Sequence, residues 1–186
     1  MKKTILSIMV LGMVSMAHAA PGDTLGTAQQ TIKGSIVNST CTVSFPADYT
    51  FAPISTVEWD RVTTGDSVIT QHTGDISLTQ CPANSAFDYT ITTASELVGD
   101  RIVKAQKVDG SGSVDSIGMQ VLSANDTDAA LFVDGSKKGL ATVNDQGNAT
   151  IPVWANIVKL GDLTQADGSK WSGEFQSVYT YTITYR

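Results

Sequence analysis

Histidine, cysteine and basic residues are scarce in this sequence, and each shortage removes a class of function. There are two histidines. His18 falls in an apolar leader, and His72 stands in the polar run Thr70-Gln-His-Thr-Gly74 with no partner near it in sequence. Nucleophilic and general-base chemistry needs a constellation, and none is built around one histidine. No Gly-x-Ser-x-Gly elbow and no phosphate-cradling glycine loop is present. Asp126-Thr-Asp128 is followed by Ala129, Ala130 and Leu131, which offer no side-chain oxygens, so it fails the calcium-loop pattern. The expectation is a chain with no catalytic residues, no metal site and no cofactor. Lysine and arginine number 12 against 18 acidic residues. That balance argues against nucleic acid and anionic membranes as partners.

Long apolar runs are missing after the first twenty residues. Within those twenty, Lys2 and Lys3 precede an apolar stretch from Ile5 to Met16, and Ala17-His18-Ala19 places small residues before Ala20. Residues 1–19 therefore read as a secretory leader cut before Ala20, too short for the span of about 20 apolar residues a membrane helix needs. Loss of Lys2 and Lys3 leaves ten basic and eighteen acidic residues, moving the formal charge from −6 to −8. The remaining length suits one domain with its own core. Cys41 and Cys81 are the two cysteines. In an exporting compartment an even number favours a disulfide; a metal site is the rival reading, with a poor ligand set.

What the chain does have is alternation. Ile32, Gly34, Ile36 and Val37 lead through Asn38 to Cys41 and Val43 in a strand that carries the first cysteine, and Asp75 to Cys81 carries the second with Ile76 and Leu78 on one face. Phe87, Tyr89 and Ile91 alternate, as do Ile117, Met119 and Val121, and Ile151, Val153, Ala155 and Ile157. Val57 and Trp59 read as part of another short extended run, and Val103 to Ser116 as a glycine- and serine-rich loop. Leu131 and Val133 lead into Asp134-Gly135, a hairpin signal. Pro152 suggests a strand that starts at, or runs along, an edge. No helical period is found after the leader. Short strands at turn-punctuated spacing predict an all-β sandwich.

The last fourteen residues show the alternation most clearly. Gly173, Phe175, Ser177, Tyr179, Tyr181, Ile183 and Tyr185 share one parity, while the other is mostly threonine and charge. This predicts one long terminal strand with an apolar inner face and a free edge, open to pairing with another chain. At the opposite end, residues 20–33 are small, polar and extended, with no apolar face able to cover itself.

These features together resemble the subunits of chaperone–usher pili of Gram-negative bacteria, of the type 1-like kind. The resemblance rests on Ile32-Lys-Gly34-Ser-Ile-Val-Asn38 leading to Cys41-Thr-Val43, on Asp75-Ile-Ser-Leu78 leading to Cys81, and on Ile117-Gly-Met119-Gln-Val121. The most specific part is the penultimate Tyr185 with Gly173 fourteen from the end. The resemblance implies an incomplete immunoglobulin-like sandwich over residues 34–186 that lacks its seventh strand and is completed by a donor strand from another subunit. It implies a groove beside the terminal strand lined by Gly173, Phe175, Tyr179, Tyr181, Ile183, Tyr185 and Arg186. A periplasmic chaperone would fill it first, with the Arg186 carboxylate captured by chaperone cations. At an outer-membrane usher the arm of the next subunit, Thr24, Leu25, Gly26, Thr27, Ala28, Gln29 and Gln30 within residues 20–33, would replace the chaperone strand. The Cys41–Cys81 disulfide would tie the first strand to the second. The implied function is a structural subunit of a homo- or heteropolymeric cell-surface fimbria supporting adhesion. The alternative is a minor or single-domain adhesive subunit binding a host receptor or glycan through Trp59, Trp154 or Trp171. One departure stands out. Family arms alternate larger apolar residues, whereas this arm offers Thr27 and Gln29, or Ala28 and Gln30.

Overall fold

Alternating apolar residues can be buried only if two sheets face each other, and the chain folds that way. The computed structural model describes residues 41–165 and 167–186. The leader, the arm and the start of the first strand, all expected within residues 1–40, lie outside that range. Among the described residues, one antiparallel sheet holds β1 (Thr42–Ser44), β2 (Ser67–Thr79), β7 (Ala149–Lys159), β5 (Ser113–Leu122), β4 (Val103–Lys107) and β8 (Phe175–Gln176), in that spatial order. A second holds β6 (Lys138–Thr142), β3 (Ala86–Thr93) and β9 (Tyr179–Tyr185).

The main core lies between them. Ile76 and Leu78 of β2, Val121 of β5 and Ile151 and Val153 of β7 pack with Phe87, Tyr89 and Ile91 of β3. Each such fully buried side chain stabilises the fold by roughly 1.5–3 kcal/mol relative to exposure. A second cluster closes one end, where Trp59 meets Ala105, Val114, Ile117, Ile157 and Leu163. Buried polar groups inside the large sheet are bonded across strands. Asn156 accepts from Ser67 Oγ and from Thr70 Oγ1 (3.0 Å), and donates to Gln120 Oε1 (2.8 Å).

Four expectations change. Val57 and Trp59 are helical, in α1 (Thr56–Arg61). Ser55 Oγ accepts from Glu58 N (3.1 Å), and Glu58 Oε2 accepts from Ser55 N (3.0 Å), a reciprocal capping box that secures the short helix. The 103–116 segment contains all of β4 and the start of β5, so only its middle is loop. Asp134-Gly135 turns the chain but joins no hairpin. Leu131 N bonds Val121 O and Val133 N bonds Asp100 O, while β6 pairs with β3. The terminal stretch is two strands, because it leaves β4 after Gln176 and joins β3 at Tyr179. Alternation continues through the crossing, which is why it reads as one strand. Pro152 keeps its edge character locally: β7 pairs with β2 there, while the β5 ladder reaches only Trp154.

Candidate functional site

β9 has hydrogen-bonding groups along both sides and a strand on one. It pairs in register with β3 from Thr93↔Tyr179 to Phe87↔Tyr185, and no strand among the described residues flanks its other side. Tyr179, Tyr181 and Ile183 point inward and lie half-buried against the main core. Tyr185 is 50% exposed, its ring 4.6 Å from that of Phe87. Among the described residues, β1 is likewise paired on one side only, to β2. Phe45, just past β1, brings its ring to 6.0 Å from Tyr181. The open edges of the two sheets thus meet along one side of the sandwich, with aromatic rings between them.

Tyrosine in this setting is kept neutral. Burial pushes the Tyr181 phenol up to about 12 and raises that of Tyr179 further. Beyond β9, Arg186 is held tightly. Its backbone N donates to Ala86 O (2.9 Å), and its Nε and Nη2 both reach Asp88 Oδ1 (2.8 Å). Lys137 Nζ lies 3.4 Å from the other oxygen. The Arg186 hydrogen bond, helped by Lys137, holds the Asp88 carboxyl below the ordinary aspartate range. Sequence reasoning missed Asp88; its signal was a charge at the centre of an apolar alternation, between Phe87 and Tyr89.

Of the residues expected in one groove, Tyr179, Tyr181, Ile183 and Tyr185 come together on β9. Phe175 instead sits on β8 beside Lys107, packed near Trp171, and Gly173 lies under the Trp171 ring. The Cys41–Cys81 disulfide is formed and links the residue before β1 to the residue two beyond β2. His72 does have a partner: its Nε2 is 3.0 Å from Asp75 Oδ1, and its ring lies 5.1 Å from Trp154. Among the candidate surface tryptophans, Trp59 is buried and donates to Gly161 O, while Trp154 and Trp171 are half-buried. Asp126 caps a 3₁₀ turn by accepting from Asp128 N (2.9 Å).

No family model and no curated protein matches the sequence. Solved structures do match the fold. A chaperone–usher pilus structure concerned with rod uncoiling aligns with a TM-score of 0.57 at 17% identity, over 90% of this chain and 100% of that one. The P pilus rod subunit PapA aligns at 0.55 and 16% identity, over 78% of this chain and 99% of that one. The chain has the pilin fold. The CupB6 tip adhesin from Pseudomonas aeruginosa aligns at 0.50 and 21% identity, over 68% of this chain and 32% of the adhesin. In this fold, the side of β9 that no described strand flanks is the feature that asks for a function.

Proposed function

We propose that this chain is a structural subunit of a chaperone–usher fimbria that polymerises by strand exchange. The observation that carries the reading is β9, paired to β3 on one side and flanked by no described strand on the other, with half-buried tyrosines along its inner face. An added strand would gain main-chain hydrogen bonds there and seat alternate side chains over Tyr179, Tyr181 and Ile183. Residues 20–33 of the next subunit supply that strand, after a periplasmic chaperone has held the edge and an outer-membrane usher has released it. The subunit is exported behind residues 1–19 and ends in a cell-surface fimbria that supports adhesion, with host-receptor contact left to the assembled fibre. Deleting residues 20–30 in the exporting strain tests this: the subunit is expected in complex with chaperone but absent from polymer, by sedimentation and electron microscopy. Fibres of normal length from that deletion would overturn the proposal.

A further inference from the structure

Two buried hydroxyls at the start of β9, Ser177 Oγ and Tyr179 OH, have no hydrogen-bond partner among the described residues. Tyr179 is the first residue of β9 and packs against the main core, and Ser177 lies two residues before it in the crossing from β8. Burial raises the Tyr179 phenol, and the Ser177 hydroxyl is near enough to offset part of that rise. A buried polar group without a partner costs free energy, and folded proteins leave few. Other buried polar groups are bonded, Asn156 to Gln120 and Tyr89 OH as acceptor from Phe132 N (3.0 Å), and Ser136 Oγ beside the Asp134-Gly135 turn is the remaining unpartnered one among the described residues. Two of the three unpartnered hydroxyls among the described residues thus lie where the chain enters β9, the strand that no described strand flanks on its other side.

The arm carries the complementary oddity. Side chains alternate along an extended strand, so only one of Gln29 and Gln30 can face a groove. The parity with the largest apolar residue of the 24–30 arm is Leu25, Thr27 and Gln29, and that face gains most from burial. A carboxamide offers two donors and an acceptor, and both hydroxyls can donate or accept.

We propose that Ser177 and Tyr179 form a polar pocket in the β9 groove that takes the side-chain amide of Gln29 from the arm of a second copy of this chain. This rests on the reading of β9 as a strand acceptor and adds what that acceptor selects. An arm with leucine or valine at that position leaves two hydroxyls unpaired, so the groove discriminates against apolar arms as well as favouring its own. The glutamine that weakens the arm for a greasy groove is the residue this groove is built to hold.

A double-mutant cycle on full-length chains tests it, reading the rate at which purified fibres dissociate in guanidinium. Gln29→Leu alone is expected to speed dissociation roughly tenfold, the loss of a buried hydrogen bond. In a Tyr179→Phe or Ser177→Ala background the same Gln29→Leu change is expected to have little effect or to slow dissociation. Gln30→Leu serves as the opposite-parity control and is expected to show no coupling to either. Independent, additive effects of Gln29 and the groove substitutions would overturn the proposal, leaving water as the occupant. Coupling at Gln30 in place of Gln29 would overturn it too. Ser177→Ala keeps the cycle usable if Tyr179→Phe fails to fold. Absence of fibres from the unaltered chain would instead remove the strand-accepting reading itself.

Discussion

Asp88 is a nearly buried carboxylate in a sheet of three strands, and its compensation comes from either side. Arg186 reaches across β3 to it, and the guanidinium passes over Gly139 of β6, where an added Cβ would collide with Nη2. Glycine at 139 thus has a specific task, admitting a side chain that clasps β9 to β3 and extends over β6. Gly139→Ala is expected to displace the guanidinium and lower the melting temperature by the same amount as Arg186→Ala. The double variant is expected to lose no more than either alone, since both remove one contact. The pH dependence follows in sign. Asp88 titrates below its ordinary value when folded, so its contribution is present above the unfolded pKa of about 3.9 and is lost as pH falls through the folded value. Thermal melts on acidification are expected to fall less steeply in Asp88→Asn than in the parent. Because Arg186 is more than half exposed, salt is expected to weaken the clasp. None of this was legible in Arg186 read as a terminal residue, because its guanidinium finds a partner 98 positions away.

At the scale of elements, the sequence was most readable where apolar residues alternate. β2, β3, β5, β7 and β9 each coincide with a run of alternating apolar residues, and their inner faces are the core. α1 escaped because six residues cannot show a 3.6-residue period. Its signal was the cap, Ser55-Thr-Val-Glu58, a serine followed three residues later by glutamate. Ser55→Ala is expected to cost about 1 kcal/mol in denaturant unfolding, through loosening of Trp59 and the end cluster it anchors. β4 escaped because small and polar residues, Val103 to Lys107, occupy a strand whose neighbours supply the bulk. The split of the terminal stretch escaped because parity survives the crossing between sheets. β9 carries its own pH signature. Tyr181 is pushed up to about 12 when folded, against about 10 in an unfolded chain, so stability is intact below about pH 10 and lost as pH rises towards about 12. Melting curves across that alkaline range should show the loss, and Tyr181→Phe should flatten it.

For the whole molecule the decisive cross-link is the disulfide, because it joins the start of β1 to the end of β2. Among the described residues β1 pairs with β2 alone, yet Phe45 just beyond it brings its ring near Tyr181 of β9. Val43 of β1 packs against the main core, and the disulfide beside it ties the strand to the end of β2. Cys81 is itself fixed, buried in the core with its N–H bonded to Gly147 O (3.0 Å). At Gly147, where φ is +74°, a side chain would strike the Cys81 carbonyl. The bond joins residues 40 apart, so on the chain-entropy account its removal costs about 4 kcal/mol. That is a large part of the roughly 5–15 kcal/mol by which domains are stable. Cys41→Ser with Cys81→Ser is therefore expected to lower the unfolding free energy by about that amount. Loss of the anchor also frees Phe45, so fibre formation is expected to fall further than stability predicts. The two effects separate when a second variant of matched stability, Ile91→Ala in the main core, costing about 2–5 kcal/mol, is assembled alongside. Equal fibre yields from the two would mean that the disulfide serves stability alone; a lower yield from the cysteine variant would assign it to the groove wall.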